Sequence, residues 1–82
     1  MSGVDFKDKE QVDEYLKRIY IEYSYGCERE NNPEACHLLG EYLSAIRKET
    51  HRAFNIYKQN CREHQFAASC YRYGQSLMSG IR

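Results

Sequence analysis

Apolar side chains recur along the chain at intervals of three or four residues, which is the spacing of one face of an α-helix. The pattern falls into four runs. They comprise Val12, Leu16, Ile19, Tyr23 and Cys27; Cys36, Leu39, Leu43 and Ile46; Phe54, Tyr57 and Cys61; and Cys70, Tyr73 and Leu77. No segment sustains the strict apolar–polar alternation of a half-buried strand, so the chain is predicted to be all-α.

Capping residues and chain breaks set the expected helix ends. The four helices are predicted near residues 8–28, 33–47, 51–63 and 66–79. Asp5 or Asp8 can cap the first helix, because a short acidic side chain accepts hydrogen bonds from free backbone amides there. Asn32 can cap the second helix, with Pro33 in its first turn. Thr50 is a weaker candidate cap for the third.

The chain also repeats itself with an offset of 34 residues. The matched pairs are Cys27 and Cys61, Cys36 and Cys70, Gly40 and Gly74, Leu43 and Leu77, Tyr20 and Phe54, and Tyr23 and Tyr57. This period is the length of a tetratricopeptide-like helical hairpin. We therefore expect two αα-hairpins in one helical-repeat domain over residues 1–82, with Gly40 and Gly74 each admitting a neighbouring helix.

Composition and charge narrow the functional classes. With 41% hydrophobic and 29% charged residues, the chain is expected to be globular. Its formal net charge of zero argues against a general nucleic-acid binder. Residues 1–41 hold ten acidic and five basic side chains and residues 42–82 hold two and seven, so the halves carry −5 and +5. That separation suits oriented docking on a protein partner. Neither a transmembrane helix nor a signal peptide is expected.

The four cysteines are the strongest candidates for chemistry. Four cysteines allow three pairings, and the sequence alone leaves the choice open. If each Cys-x8-Cys pair brackets a turn between helices, its two Cα atoms can approach to disulfide distance. A zinc site that adds His37 or His64, a dithiol redox catalyst and a twin Cys-x9-Cys helical hairpin are alternatives. The short Cys-x-x-Cys spacing typical of the first two is absent.

No other motif assembles a catalytic, metal or cofactor site, so none is predicted. There is no phosphate-binding glycine loop, haem-attachment motif or zinc-protease motif. The three histidines are expected to be at the surface or hydrogen-bonded in the interior. Most of the eight tyrosines fall on the helical stripes, where they are expected to pack in the core or line a concave face. The candidates for partner contact are Tyr20, Tyr23, Tyr42, Tyr57 and Tyr73.

These features resemble a known family. Hairpins of 34 residues with Cys-x8-Cys corners, and Cys-x3-Gly-x2-Leu at a helix start, are similar to Sel-1-like repeats. Further segments resemble the N-terminal portion of the cytochrome c oxidase assembly factor 7 family, which are cysteine-rich Sel-1-like repeat proteins of the mitochondrial intermembrane space. Those segments are Val4-Asp5-Phe6, Glu10-Gln11-Val12, Asn32-Pro33 and Tyr42-Leu43-x2-Ile46-Arg47-Lys48.

The resemblance implies structural disulfides Cys27–Cys36 and Cys61–Cys70. It implies a non-enzymatic protein-interaction module that assists assembly of respiratory-chain complex IV, cytochrome c oxidase. Its expected partners are proteins of that assembly pathway and the disulfide relay that imports proteins into the intermembrane space, without nucleic acid or a membrane span. Disulfides without a secretory signal agree with that compartment. The alternatives are a thiol–disulfide or haem-linked redox factor acting on copper chaperones, and a structural adaptor outside mitochondria.

Overall fold

A computed structural model of the protein describes residues 8–80, which form four α-helices and no strand. The helices are α1 (Lys9–Glu28), α2 (Pro33–Ala45), α3 (Thr50–His64) and α4 (Ala67–Met78). The all-α prediction is confirmed for this part of the chain. The possible cap Asp5 and the segment Val4-Asp5-Phe6 lie outside the described residues.

The first two helices begin as their sequences predict. The carboxylate of Asp8 accepts a hydrogen bond of 2.9 Å from the backbone amide of Glu10. The side chain of Asn32 accepts one of 3.0 Å from the amide of Glu34, and Pro33 follows it in the first turn. Each cap satisfies an amide that has no partner inside its own helix.

The third helix begins differently from the prediction. Thr50 is its first helical residue, and the cap position falls on Glu49, which makes no side-chain capping hydrogen bond. The Glu49 carboxylate instead accepts a hydrogen bond of 2.8 Å from the Arg52 guanidinium. The predicted Thr50 cap is therefore wrong, because Thr50 already has helical backbone geometry.

A residue in the left-handed conformation stands in each of the three connections: Asn31 (φ 55°), Lys48 (φ 58°) and Gln65 (φ 53°). Asn31 and Gln65 occupy equivalent positions of the 34-residue repeat. The amide of Asn32 donates to the carbonyl of Gly26 at 2.9 Å, a bond that closes a helix end around a left-handed residue. The chain thus reverses at matching points in the two hairpins.

Each helix packs against the next, so that α2 lies against both α1 and α3, and α3 lies against α4. The buried core is formed by residues of α2 and α3, namely Leu39, Tyr42, Leu43, Ala53 and Tyr57. Partly buried side chains from α1, α3 and α4 surround it, including Leu16, Ile19, Ile56 and Tyr73. Contact between successive helices is typical of repeat proteins.

The two repeat-related glycines differ in their surroundings. A Cβ atom at Gly40 would lie 2.7 Å from Cε1 of Tyr57, so only glycine permits this approach of α3 to α2. A Cβ atom at Gly74 would meet nothing within 4 Å in the described part of the chain, so the prediction of a close helix there is wrong for these residues. Leu77 is 53% exposed, whereas its equivalent Leu43 is fully buried. No helix among residues 8–80 covers this side of α4.

Candidate functional site

The cysteines form the disulfides Cys27–Cys36 and Cys61–Cys70. Cys27 lies in the last turn of α1 and Cys36 near the start of α2, and the second pair holds the same positions in α3 and α4. The chain reversals bring the paired Cα atoms to 4.5 and 4.7 Å. The pairing that the resemblance implied is confirmed, and no cysteine is free.

The disulfides also decide among the alternatives left open by the spacing. Zinc requires deprotonated thiolates, and disulfide-bonded sulfur does not supply them. Within residues 8–80, no group of three or more histidine, cysteine, aspartate or glutamate side chains is placed to hold a metal ion. The zinc alternative therefore has no donor set in this structure.

A cavity of about 320 Å³ opens between the first disulfide and α3. Cys27, Cys36, Leu39 and Ile56 are among the residues of its wall, together with the ionisable side chains of Glu63 and His64. The sequence placed His64 near Cys61 as a weak zinc pattern, but the fold brings it to the cavity beside the other disulfide. Sequence reasoning missed this cavity because it depends on packing between two hairpins.

A buried polar network links the two hairpins. Asn60 is 2% exposed, and its side-chain amide donates hydrogen bonds to the Ser69 hydroxyl at 2.8 Å and to the Pro33 carbonyl at 2.9 Å. Its own carbonyl oxygen Oδ1 is buried and has no hydrogen-bond partner among residues 8–80. Because Ser69 Oγ accepts from Asn60, the hydroxyl proton is free to be donated elsewhere.

Nδ1 of His37 lies 2.9 Å from Ser69 Oγ, within hydrogen-bond distance. Its other ring nitrogen, Nε2, lies 3.1 Å from the Glu41 carboxylate. Arg72 of α4 binds the same Glu41 oxygen at 3.0 Å. His37 is thus a hydrogen-bonded interior histidine, one of the two situations expected from the sequence.

Aromatic and basic side chains meet near α1. The guanidinium of Arg47 lies 4.4 Å from the centre of the Tyr20 ring, within cation–π range. The rings of Tyr20 and Tyr42 are 5.6 Å apart. Interaction with the Arg52 guanidinium holds the pKa of Tyr20 below its usual value, since a positive charge favours the phenolate. Tyr20 is therefore held between two cations.

The five candidate tyrosines are not gathered on one open face. Tyr42 and Tyr57 are buried, at 8% and 5% exposure. Tyr20, Tyr23 and Tyr73 are partly buried and pack around the core. Burial raises the pKa of Tyr57, and the negative charge of Glu41 acts in the same direction. The three partly buried rings are the ones with surface available to a partner.

Among the described residues, no helix combines the length and apolar character that a membrane crossing needs.

The four helices and the disulfide at the turn of each hairpin define this chain as a pair of disulfide-linked helical hairpins. The chain is 46% identical over 76 residues to the cytochrome c oxidase assembly factor 7 homolog of Drosophila melanogaster. It is 41% identical over 81 residues to cytochrome c oxidase assembly factor 7 of Homo sapiens and 42% identical over 81 residues to that of Xenopus tropicalis.

These matches cover 93–98% of the chain but only 29–35% of the relatives, so the chain spans about a third of their length. Over nearly its whole length, it is a homologue of part of the cytochrome c oxidase assembly factor 7 proteins, which confirms the resemblance. No family model matches the chain. The Sel-1-like label for its repeats stays a prediction.

Proposed function

We propose that the chain is a non-enzymatic protein-interaction module that assists the assembly of cytochrome c oxidase in mitochondria. The observation that carries this proposal is the similarity of 76–81 residues to proteins named as assembly factors for that enzyme. Because the chain spans about a third of those relatives, the proposal assigns it contact with assembly proteins rather than their whole activity.

The proposed compartment is the mitochondrial intermembrane space. Two disulfides in a protein of 82 residues support it, because disulfides persist in oxidising compartments and are rare in the cytosol. In this proposal the disulfide relay of that compartment oxidises the incoming chain. The two closed corners then hold the hairpins in their folded form, which retains the protein after import.

The proposed contact surface uses the partly exposed tyrosines and the charge separation of the chain. Tyr20 presents an amphipathic ring beside Arg47, a combination common at protein interfaces. Tyr23 and Tyr73 present further aromatic surface, while buried Tyr42 and Tyr57 position the helices that carry them. The acidic first half and the basic second half of the chain would orient a partner whose charge distribution is complementary to theirs.

Affinity capture from intact mitochondria tests this proposal. The full chain, expressed with a tag, should enrich proteins of cytochrome c oxidase assembly intermediates. A Tyr20→Ala variant should lose much of that enrichment, whereas Tyr25→Ala should retain it as a control on the same helix, because Tyr25 is 58% exposed and is outside the proposed surface. Enrichment no greater than that of an unrelated imported protein would refute the proposal.

One observation favours a second candidate, thiol–disulfide exchange. The Cys27–Cys36 disulfide lines the open cavity beside Glu63 and His64, which can accept a proton from an attacking thiol. A dithiol substrate would be oxidised to its disulfide while Cys27 and Cys36 are reduced to two thiols. Oxidation of one dithiol per protein, lost in a Cys27→Ser, Cys36→Ser variant but kept in Cys61→Ser, Cys70→Ser, would support this candidate. Absence of that single oxidation in the unaltered protein would exclude it.

A further inference from the structure

The cavity of about 320 Å³ beside the first disulfide has a wall of mixed chemistry. Leu39, which is 2% exposed, and the partly buried Ile56 supply apolar surface to it. Glu28 of α1 and Glu63 of α3 supply two exposed carboxylates. A ligand that complements this wall combines a hydrocarbon stem with a positively charged end.

Both carboxylates lack a cationic partner within residues 8–80. The ion pairs described there use Glu41 and Glu49 instead. The Glu63 carboxylate accepts a hydrogen bond of 3.1 Å from Gln59, whose amide is uncharged. Two negative groups on the wall of one cleft raise the local concentration of cations. The charge that would select a ligand therefore lies on the cavity wall itself.

A buried acceptor in the same wall is also unpaired. Asn60 is a wall residue, and its Oδ1 has no hydrogen-bond partner among residues 8–80. The Nδ2 atom of the same amide donates to Pro33 and Ser69, neither of which lines the cavity. Since Oδ1 and Nδ2 lie on opposite sides of the amide carbon, Oδ1 is the atom that is left to face the cavity. A buried carbonyl without a donor is costly, so a donor that enters the cavity would be stabilised there.

These acceptors favour a guanidinium group over other cations. Within residues 8–80, no three histidine, cysteine, aspartate or glutamate side chains are placed to hold a metal ion. The acceptors belong to three side chains, Glu28, Glu63 and Asn60. A guanidinium carries five donors in a planar fork and can serve several acceptors at once, whereas an ammonium is a compact charge with three donors. The cavity is small among ligand sites, which suits one long side chain.

We propose that this cavity binds an arginine side chain of a partner protein. The methylene stem lies against Leu39 and Ile56, while the guanidinium pairs with Glu28 and Glu63 and donates to Asn60 Oδ1. This inference rests on the proposed role as an interaction module and names the chemical group of the partner that is recognised. Its test uses purified components, so its failure is distinguishable from failure of the assembly role, which capture from mitochondria tests.

Titration with a blocked glycine pentapeptide that has a central arginine tests the binding by two-dimensional NMR. The oxidised full chain is used at low salt and about pH 7.5, where histidine is ordinarily uncharged. The Nδ2 protons of Asn60 and the methyl groups of Leu39 and Ile56 should shift saturably. The same peptide with citrulline, a neutral analogue of arginine, should bind about tenfold more weakly, because hydrogen bonds to charged groups are stronger. Shifts limited to Glu28 and Glu63 would place the cation outside the cavity and overturn the proposal.

Paired variants separate the cavity from general electrostatic attraction. Glu28→Gln combined with Glu63→Gln removes both wall charges at nearly constant shape and should weaken arginine binding severalfold. Glu14→Gln combined with Glu22→Gln makes the same change of net charge at exposed α1 positions outside the wall, so it should bind like the unaltered protein. Helical circular dichroism verifies that both variants are folded. Absence of saturable shifts, equal binding of the two peptides, or equal effects of the two variant pairs would overturn the proposal.

Discussion

Asn60 of α3 donates a hydrogen bond of 2.8 Å to Ser69 of α4, beside the corner of the second hairpin. The corresponding positions of the first hairpin carry no polar side chain. The repeat equivalents of these residues are Gly26 and Ala35. A Cβ at Gly26 would lie 2.8 Å from that of Ala35, so the first corner closes by direct backbone approach. The second corner closes through a hydrogen bond, and Asn60 also reaches back to the Pro33 carbonyl of the first hairpin.

Removing this link should destabilise the protein. Asn60→Ala deletes two hydrogen bonds, of which the one to Ser69 is buried, and should cost about 1–3 kcal/mol. Adding Ser69→Ala should cost less than the sum of the two single variants, because the partners act as a unit. Urea unfolding of the oxidised single and double variants measures both effects.

Gln59 provides the control for that series. Gln59 neighbours Asn60 but is exposed. Among the hydrogen bonds described, its side chain donates only to Glu63, one turn further along the same helix. Gln59→Ala should change the free energy of unfolding by no more than about 0.5 kcal/mol. Strict additivity between Asn60→Ala and Ser69→Ala would contradict the coupling.

The two repeat-related glycines should respond to alanine with opposite signs. Gly40→Ala forces a methyl group against the buried Tyr57 ring, so overpacking of about 1–3 kcal/mol outweighs the gain in helix propensity. Gly74→Ala meets no neighbour and should stabilise its helix by up to about 1 kcal/mol. Denaturant unfolding at low protein concentration compares them, and stabilisation by Gly40→Ala would contradict the packing described.

The parts of this structure that sequence reasoning anticipated depend on local chemistry or on the repeat. Asn32 and Pro33 start α2 because capping is decided within one turn. The four helices followed from apolar spacing, and the disulfide pairing from the family resemblance. The spacing alone did not choose among the pairings.

The parts that it missed depend on which neighbours are present. Gly74 matches Gly40 in sequence, but within residues 8–80 only Gly40 has a helix over it, and a repeat pattern does not reveal which glycine has such a neighbour. In the sequence Asn60 and Ser69 look like ordinary helix residues. Their hydrogen bonds join three different helices, which the local sequence does not reveal. Their departure from Gly26 and Ala35 in the repeat was the signal available.

Alkaline pH should destabilise the protein in part through Tyr57. Burial raises the pKa of its phenol in the folded state above the value of about 10 in the unfolded chain. The unfolded state therefore loses its proton first, and stability falls as pH rises from about 10 through the folded pKa.

Tyr57→Phe keeps the ring and removes the phenol. Its unfolding free energy should decline less steeply between about pH 9 and 11 than that of the unaltered protein. Tyr25→Phe, at an exposed position, should leave the slope unchanged. Equal slopes for all three proteins would show that Tyr57 is not the titrating group.

The two disulfides should differ in what their removal costs. Each closes a loop of about ten residues, worth about 2.5–3 kcal/mol by chain entropy. Cys36 is buried at 8% exposure, whereas Cys61 and Cys70 are only partly buried. Replacing Cys27 and Cys36 by serine should thus cost more than replacing Cys61 and Cys70, because it also places a hydroxyl in the core. Thermal unfolding of the two double variants provides the comparison, and equal losses would contradict this ranking.

The central proposal is that both disulfides of this hairpin pair are formed inside mitochondria. Alkylation of free thiols in intact mitochondria, followed by mass mapping without reductant, tests it most directly. We expect the chain to be retained within the outer membrane, with Cys27 linked to Cys36, Cys61 linked to Cys70 and no alkylated cysteine. Recovery of the chain from the cytosol with four alkylated thiols would contradict it.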